Sequence, residues 1–438
     1  MSERMTLGSL FVLAALIPGI CWAQGGYGNG GPPGNWQAPP QGAPYSGYPA
    51  PPAAPPMIYE QLPDDLGFRH EDSAFETALK NVFRHSYYRG EFLLWAASKP
   101  GDVVLGATPA GGYTTSTVLQ QNPPLLPPTT FGLQNPIGTV VAAVVQPTLG
   151  DFNISNVPGY RGTFGLPIGP GNFEMSAFIL GTHKNTYDGT SMITQEVPPN
   201  AVTGALAVPA VFIGEPINVP GNQNVLLFTD SYQAVMKTSI WGSEANYIMD
   251  APNSGTGDLL TISPLLGFRY LNYRESLSQG GVYEVAVTDN LGNVTLTPNP
   301  RAIYSSSNNN SYGPQFGVRS ELSISKVTFG AEPKIMLGLN SYSATVTSIN
   351  APFDGTNTNN SKKATIFSPV ADLKLYTRIS VAKYAHVFAA YNVMWAGSLT
   401  RPYDSIGYNV NANGGGFFTP TFTDSIIQGL TVGGELRF

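Results

Sequence analysis

Four histidines, His70, His85, His183 and His386, are the side chains best placed to act as a base near neutral pH. A hydrolase would set one of them beside a nucleophile and an acid. None stands in an HExxH or GxSxG frame. His183, at the outer end of a strand-like segment, is the one a surface hydrolase would use; His386 begins another such segment. Asp354, in "FDGTNTNNSKK", offers an oxygen ligand for calcium, but an ordinary polar loop has the same composition. Gly26, Gly28 and Gly31 carry the spacing of a dinucleotide fingerprint without a strand before or a helix after, so the match has no structural meaning. Cys21, the only cysteine, falls inside a predicted signal peptide, which excludes a disulfide scaffold and a thiolate zinc site. The expectation is a protein that is not an enzyme and holds neither metal nor cofactor.

The charged residues say more. They make up only 11% of the chain, and they recur at alternate positions in strand-like segments. Glu244 shares a face with Gly242 and Asn246, opposite Trp241, Ala245 and Tyr247. Arg269 and Glu275 lie opposite Phe268 and Tyr270; Arg319 and Glu321 lie opposite Phe316, Val318 and Leu322. Glu332 and Lys334 oppose Ile335, Leu337 and Leu339, while Asp372, Lys374 and Arg378 oppose Leu373, Leu375 and Ile379. Arg437 opposes Leu436 and Phe438. An Arg or Lys facing lipid at mid-depth costs about 2–4 kcal/mol. Sheets of this kind surrounded by lipid would turn all these charges into a shared lumen, where both signs pair.

Ten segments carry the alternation, roughly 88–97, 158–168, 172–182, 231–249, 258–275, 311–324, 327–340, 365–380, 383–396 and 425–438. Each is long enough to cross a bilayer as a tilted strand, which takes about 9–11 residues. The connections alternate: long at 98–157, 183–230, 276–310, 341–364 and 398–424, short near Pro170-Gly171, 251–257, Ser325-Lys326 and Val381-Ala382. This predicts an all-β chain forming one closed antiparallel transmembrane β-barrel of about ten strands, with short periplasmic turns and long extracellular loops. The number becomes twelve if strands inside 98–157, such as "GTVVAAVV" at 138–145, join the wall. Aromatic residues near strand ends, among them Tyr88, Trp95, Phe173, Tyr247, Tyr312, Tyr342, Tyr384 and Trp395, suit interfacial girdles. Before the barrel come a signal peptide (1–23), a Pro/Gly-rich spacer (24–70) and a short amphipathic helix (71–86) with Ser73 and Glu76 as a capping box; the barrel fills 87–438. Net charge is −6 with no basic cluster, so nucleic acid is not an expected partner.

The final strand, "LTVGGELRF", sets Leu430, Val432, Gly434, Leu436 and Phe438 along one face. It would pair with the first strand and abolish the sheet edge. It also resembles the terminal signal read by the outer-membrane assembly machinery.

The segments "GEFLLWAAS" (90–98), "GYRGTFG" (159–165), "SIWGSEANY" (239–247), "PLLGFRYLNYRESLS" (264–278), "YGPQFGVRSEL" (312–322) and "AAYNVMWAGSLTRPYDSI" (389–406) resemble a family of bacterial outer-membrane β-barrel proteins with long extracellular loops. The chain departs from that family's usual pattern at Asn272 and at Tyr403-Asp404. The resemblance implies a barrel in the bacterial outer membrane and no particular chemistry. The expected function is a barrel with a charge-paired, largely occluded lumen, acting structurally or in surface interactions through its loops. The alternatives are a small gated porin for small polar solutes and, third, an outer-membrane hydrolase. Its expected partners are outer-membrane lipid, the assembly machinery and an extracellular ligand of unidentified class. The spacer and the C-terminus would be periplasmic.

Overall fold

The computed structural model describes residues 86–109, 113–115, 129–134, 140–150, 152, 154–190, 207–214, 223–250, 259–351, 357–408 and 418–438. Contacts divide the chain into residues 1–77 and 78–438, and every described residue belongs to the second unit. The signal peptide, spacer and helix expected over 1–86, with His70, His85, Ser73 and Glu76, lie outside the described residues apart from Ser86; so does Asp354.

The strands in chain order are β1 (Tyr87–Ala97), β2 (Tyr113–Thr115), β3 (Thr130–Gln134), β4 (Val140–Val145), β5 (Val157–Pro167), β6 (Gly171–Leu180), β7 (His183–Asp188), β8 (Ala207–Gly214) and β9 (Gln223–Leu227). They continue with β10 (Ser231–Met249), β11 (Leu260–Thr288), β12 (Val294–Ile324), β13 (Val327–Met336), β14 (Leu339–Ile349), β15 (Thr358–Phe367), β16 (Val370–Ala382), β17 (Ala385–Thr400) and β18 (Phe422–Arg437). Ten of them pair antiparallel in a closed ring: β1, β5, β6, β10, β11, β12, β13, β16, β17, β18 and back to β1. The closing pair runs in unbroken register from Tyr87 opposite Arg437 to Ala97 opposite Ile427. These are the ten alternating segments.

Strands hidden in 98–157 do exist, but they do not enter the wall. β2, β3 and β4 join β8 and β9 in a separate five-stranded sheet. "GTVVAAVV" falls there because its residues alternate toward no lipid face: Val144 and Val145 are both buried in protein.

The expected long loops are also more ordered than their composition suggests. β11 and β12 run for 29 and 31 residues, and pair from Leu260–Leu322 up to Thr288–Val294. β7 extends the wall alongside β10, and β14 and β15 extend it beyond β12. The result is a wall of unequal height, with a tall blade of β7, β10, β11, β12, β14 and β15. The break at Leu337-Gly338 separates β13 from β14, and the break at Ser368-Pro369 separates β15 from β16. Above that line β15 ends the sheet among the described strands, its outer edge carrying Lys362 and Lys363.

Within the tall strands the alternation reverses its sense. Along β11, Leu260, Ile262, Leu266 and Phe268 point outward and are exposed, while Arg269 is buried inside. Two residues later Leu271, Tyr273 and Leu277 are the buried, inward ones, and Arg274 is exposed. In β10 the same change occurs at Trp241, with Met236 and Ile240 inward above it and Glu244 and Asn246 inward below. From Leu260 to Tyr270 the outward apolar run covers about 33 Å of strand. Tilted by about 40°, it spans about 25 Å along the axis, the height of the lipid-facing band of membrane barrels.

Parity also corrects the aromatic girdle. Tyr88, Tyr312 and Tyr384 are exposed, but Trp95 and Tyr342 fall on inward positions and are buried. The short turns sit at one end of the ring, including Ser325-Lys326 and a turn at Lys383-Tyr384, two residues later than expected.

Leu375 is half exposed on the outward face of β16. A fluorophore on Leu337→Cys or Leu375→Cys should be quenched by lipid-borne and not by water-soluble quenchers. Leu375→Arg should destabilise the vesicle-folded protein by about 2–4 kcal/mol in denaturant titration. Water-soluble quenching at either site would place this face in water.

Candidate functional site

The lumen is the one place where all ten wall strands converge. Its lower part, level with the apolar band, is charged. Several pairs arise directly from register, which sets opposite charges on facing residues of neighbouring strands. Glu244 faces Arg269, and their side chains meet at 2.6 Å; Glu91 faces Arg161 at 3.3 Å; Arg89 faces Glu435 at 3.1 Å. Other bridges are chords across the lumen between strands three places apart in the ring. Arg269 of β11 reaches Asp372 of β16 at 2.6 Å, Arg319 of β12 reaches Glu174 of β6 at 2.6 Å, and Lys374 of β16 reaches Glu91 of β1 at 3.1 Å. Lys334 sits among three carboxylates, 3.0 Å from Glu244 and from Glu332 and 3.6 Å from Asp372. Arg319 also bridges Glu332 at 2.6 Å. The free space among these groups is about 30 Å³, enough for about two waters.

Of the residues singled out by alternation, Glu244, Arg269, Arg319, Glu332, Lys334 and Asp372 meet in one network, and Lys374 joins a neighbouring cluster through Glu91, with Arg89, Arg161 and Glu435. Glu321 and Arg378 pair at 3.3 Å toward the turn end. Arg437 stands apart: its side chain is 46% exposed at the rim, held to Glu435 at 2.9 Å. Glu275 belongs to the apolar layer above, paired with Arg401. Arg89, Glu91, Arg161, Glu174 and Glu435 lie outside the set singled out above, although each has the inward parity that alternation marks. On β18, Leu430, Val432 and Leu436 point outward and are exposed, with Thr431 and Glu435 buried behind them, and Phe438, just past the strand, is exposed as well.

Above the charged layer the lumen is filled by apolar side chains delivered by the long connections. Leu105, Leu149, Phe152 and Ile154 come from the segment between β1 and β5. Val211, Ile213 and Leu226 come from the small sheet and Phe228 from the residue after it, while Leu399 stands near the end of β17 and Tyr403 and Ile406 at the start of the β17–β18 connection. They pack in one cluster with wall residues such as Trp95, Ile240, Leu271 and Met394. Backbone hydrogen bonds fasten this plug: Ala97 N donates to Ile154 O at 2.9 Å, and Ala107 N to Phe212 O at 2.6 Å. Gly106 makes that last approach feasible, with φ of 122° and space for a Cβ only 2.9 Å from the Phe212 nitrogen.

At the plug's heart lies an ion pair that alternation could not reveal, because Arg401 follows the last residue of β17. Arg401 donates a second hydrogen bond to Glu275 at 2.8 Å beside a shorter one from its Nε. Its guanidinium lies 5.4 Å from the Tyr273 ring centre and 5.1 Å from that of Tyr403. Both charged side chains are essentially inaccessible, at 1% and 0%. Asn309 secures the residue before Arg401, accepting from the Thr400 amide at 2.9 Å and donating to the Thr400 carbonyl at 2.9 Å. Asp404, past the pair, has its carboxyl held above the usual range by burial, opposed by a hydrogen bond from Thr423.

The two described histidines lie at opposite ends of the wall. His183 begins β7 opposite Thr238 toward the loop end; His386 lies at the turn end, its Nδ1 3.0 Å from Ser380 Oγ. Among the described residues no group of three or more His, Cys, Asp or Glu could hold a metal ion.

Breaking one half of a buried ion pair leaves a bare charge, at a cost of about 3–5 kcal/mol. Arg401→Met should therefore destabilise the barrel by that amount in urea unfolding from detergent, and the double variant Arg401→Met/Glu275→Met should recover most of the loss.

The sequence model of the family described as Putative beta barrel porin-7 (BBP7) matches residues 87–438. Among solved structures, the outer membrane protease OmpT from Escherichia coli is 10% identical with a TM-score of 0.40, covering 81% of this chain and 97% of its own. The Ralstonia pickettii toluene transporter TbuX is 9% identical with a TM-score of 0.22, covering 84% and 94%. The P. putida toluene transporter TodX is 7% identical with a TM-score of 0.21, covering 81% and 90%. No curated protein matches the sequence.

Proposed function

The chain belongs to the Putative beta barrel porin-7 family, and we propose that it is a sealed barrel acting as a structural and surface-interaction protein rather than an open channel or an enzyme. Its place is the bacterial outer membrane. The turn end, with both ends of the barrel domain, faces the periplasm; the tall blade and the plug face outside. The observation that carries this reading is the double closure of the lumen. A solute would have to displace the loop-borne apolar plug and then part a network of salt bridges with room for about two waters. Parting those bridges exposes unpaired charges in a narrow, poorly solvated space, a cost of several kcal/mol for each ion.

The family's description as a porin favours a second reading, a gated pore whose plug is displaced by a signal. The two readings part in planar bilayers. The native protein should show no steady conductance and no uniform opening steps. Uniform open-pore steps from unmodified protein would overturn the sealed-barrel reading. Lipase or protease activity that disappears in His183→Ala would overturn the non-catalytic one.

A further inference from the structure

The outward face of the blade changes character abruptly just above the apolar band. The last band row is Trp241, Tyr270, Tyr312, Leu339 and Phe367 on successive strands, all exposed or half exposed, with the Trp241 and Tyr270 rings 4.9 Å apart. Next come small polar residues, including Asn272, Asn310 and Ser341, tied by hydrogen bonds such as Tyr270 OH to Asn310 Oδ1 at 2.7 Å. The row beyond holds cations. Lys184 of β7, Lys237 of β10, Arg274 of β11 and Lys363 of β15 all point outward and are exposed.

Register places them close together. Lys184 lies directly opposite Lys237, and Arg274 lies opposite Ser239, on the diagonal from Lys237. Asn308 faces Arg274, and Ser343 links Asn308 to Lys363. Across six strands the row spans about 24 Å. No carboxylate bridges any of the four among the described residues. Among the described residues Asp188, on the blade's flank, sits four residues beyond Lys184 and accepts from the Thr190 amide, and Glu284 lies ten residues beyond Arg274. Like charges directly opposite destabilise a sheet pair, so an external anion would relieve this arrangement.

We propose that this row is a docking surface for the phosphate-bearing, net-anionic headgroups of lipids in the leaflet that meets the loop end. The aromatic row fixes the depth at which the acyl chains end. Four residues farther along each strand, about 10 Å along the tilted axis, the cation row stands at the level of the phosphates, where each Lys or Arg adds attraction to an anionic surface. The row between them spaces the cations from the acyl chains, its amides already donating within the sheet, Asn272 to Asn308 and Asn310 and Asn310 to the Ser341 carbonyl.

The test is local quenching in the full chain, carrying Cys21→Ser and a fluorophore at Ser239→Cys, reconstituted in phosphatidylcholine vesicles. Brominated phosphatidic acid should quench it at lower mole fraction than brominated phosphatidylcholine. Lys237→Gln/Arg274→Gln should reduce that preference by roughly fivefold for each cation removed. Raising salt should weaken it. Lys326→Gln/Lys383→Gln, at the turn end, should leave it unchanged, with heat-modifiable gel migration confirming that each variant is folded. Equal quenching by the two lipids in the native protein would overturn the proposal, as would a preference that survives the blade double variant or falls equally in the turn-end one.

Discussion

A charge that points into a ten-stranded barrel has to be answered by another charge, because the lumen is too narrow to bring in the water that would otherwise solvate it. The whole molecule is arranged around that requirement. Glu244 and Arg269, Glu91 and Arg161, and Arg89 and Glu435 are solved by register alone, each acid facing a base on the next strand. The chords from Arg269 to Asp372, Arg319 to Glu174 and Lys374 to Glu91 then tie non-adjacent strands together. Such pairs add little net stability over an apolar filling. What they do is punish error. A slip of one residue in any wall strand would turn its charges toward lipid and its leucines toward the network.

The same logic explains why the two halves of the wall are mirror images in polarity. In the band the outside is apolar and the inside charged. Above Trp241 and Tyr270 the outside is polar and the inside apolar, because there the long connections and not lipid cover the greasy face. Each stretch of strand thus has one apolar face, and only its neighbour changes. The plug follows as a necessity: Leu271, Tyr273 and Ile240 would otherwise line an aqueous vestibule. The Arg401–Glu275 pair inside it pins the start of the β17–β18 connection at a fixed depth.

This reversal also marks how far the sequence can be read. The ten wall strands, and the inward set that includes Glu244, Arg269, Lys334, Asp372 and Lys374, follow from simple alternation in segments bordered by lipid. Reading stops where the alternation changes sense. "YSSSNNNSY" at 304–312 looks like loop because Ser and Asn have weak strand propensity, yet Ser305, Ser307, Asn309 and Ser311 are buried on one face of a continuous ladder. Trp95 and Tyr342 looked interfacial by position along the chain but were inward by parity. Arg401 had no period to betray it, since its setting is made by Glu275, Tyr273 and Tyr403 brought from elsewhere. Separation in sequence is what hid the plug.

Beyond residue 282 neither β10 nor β14 accompanies the β11–β12 hairpin, and it continues alone as a two-stranded ribbon to a turn at Asp289, whose carboxylate accepts from the amides of Leu291 and Asn293. From Tyr270 to that tip is about 60 Å of strand, longer than the lipid core is thick. Leu291, 87% exposed, therefore rides on a mast: whatever approaches the loop end along this barrel's axis meets the tip well before it meets the apolar band.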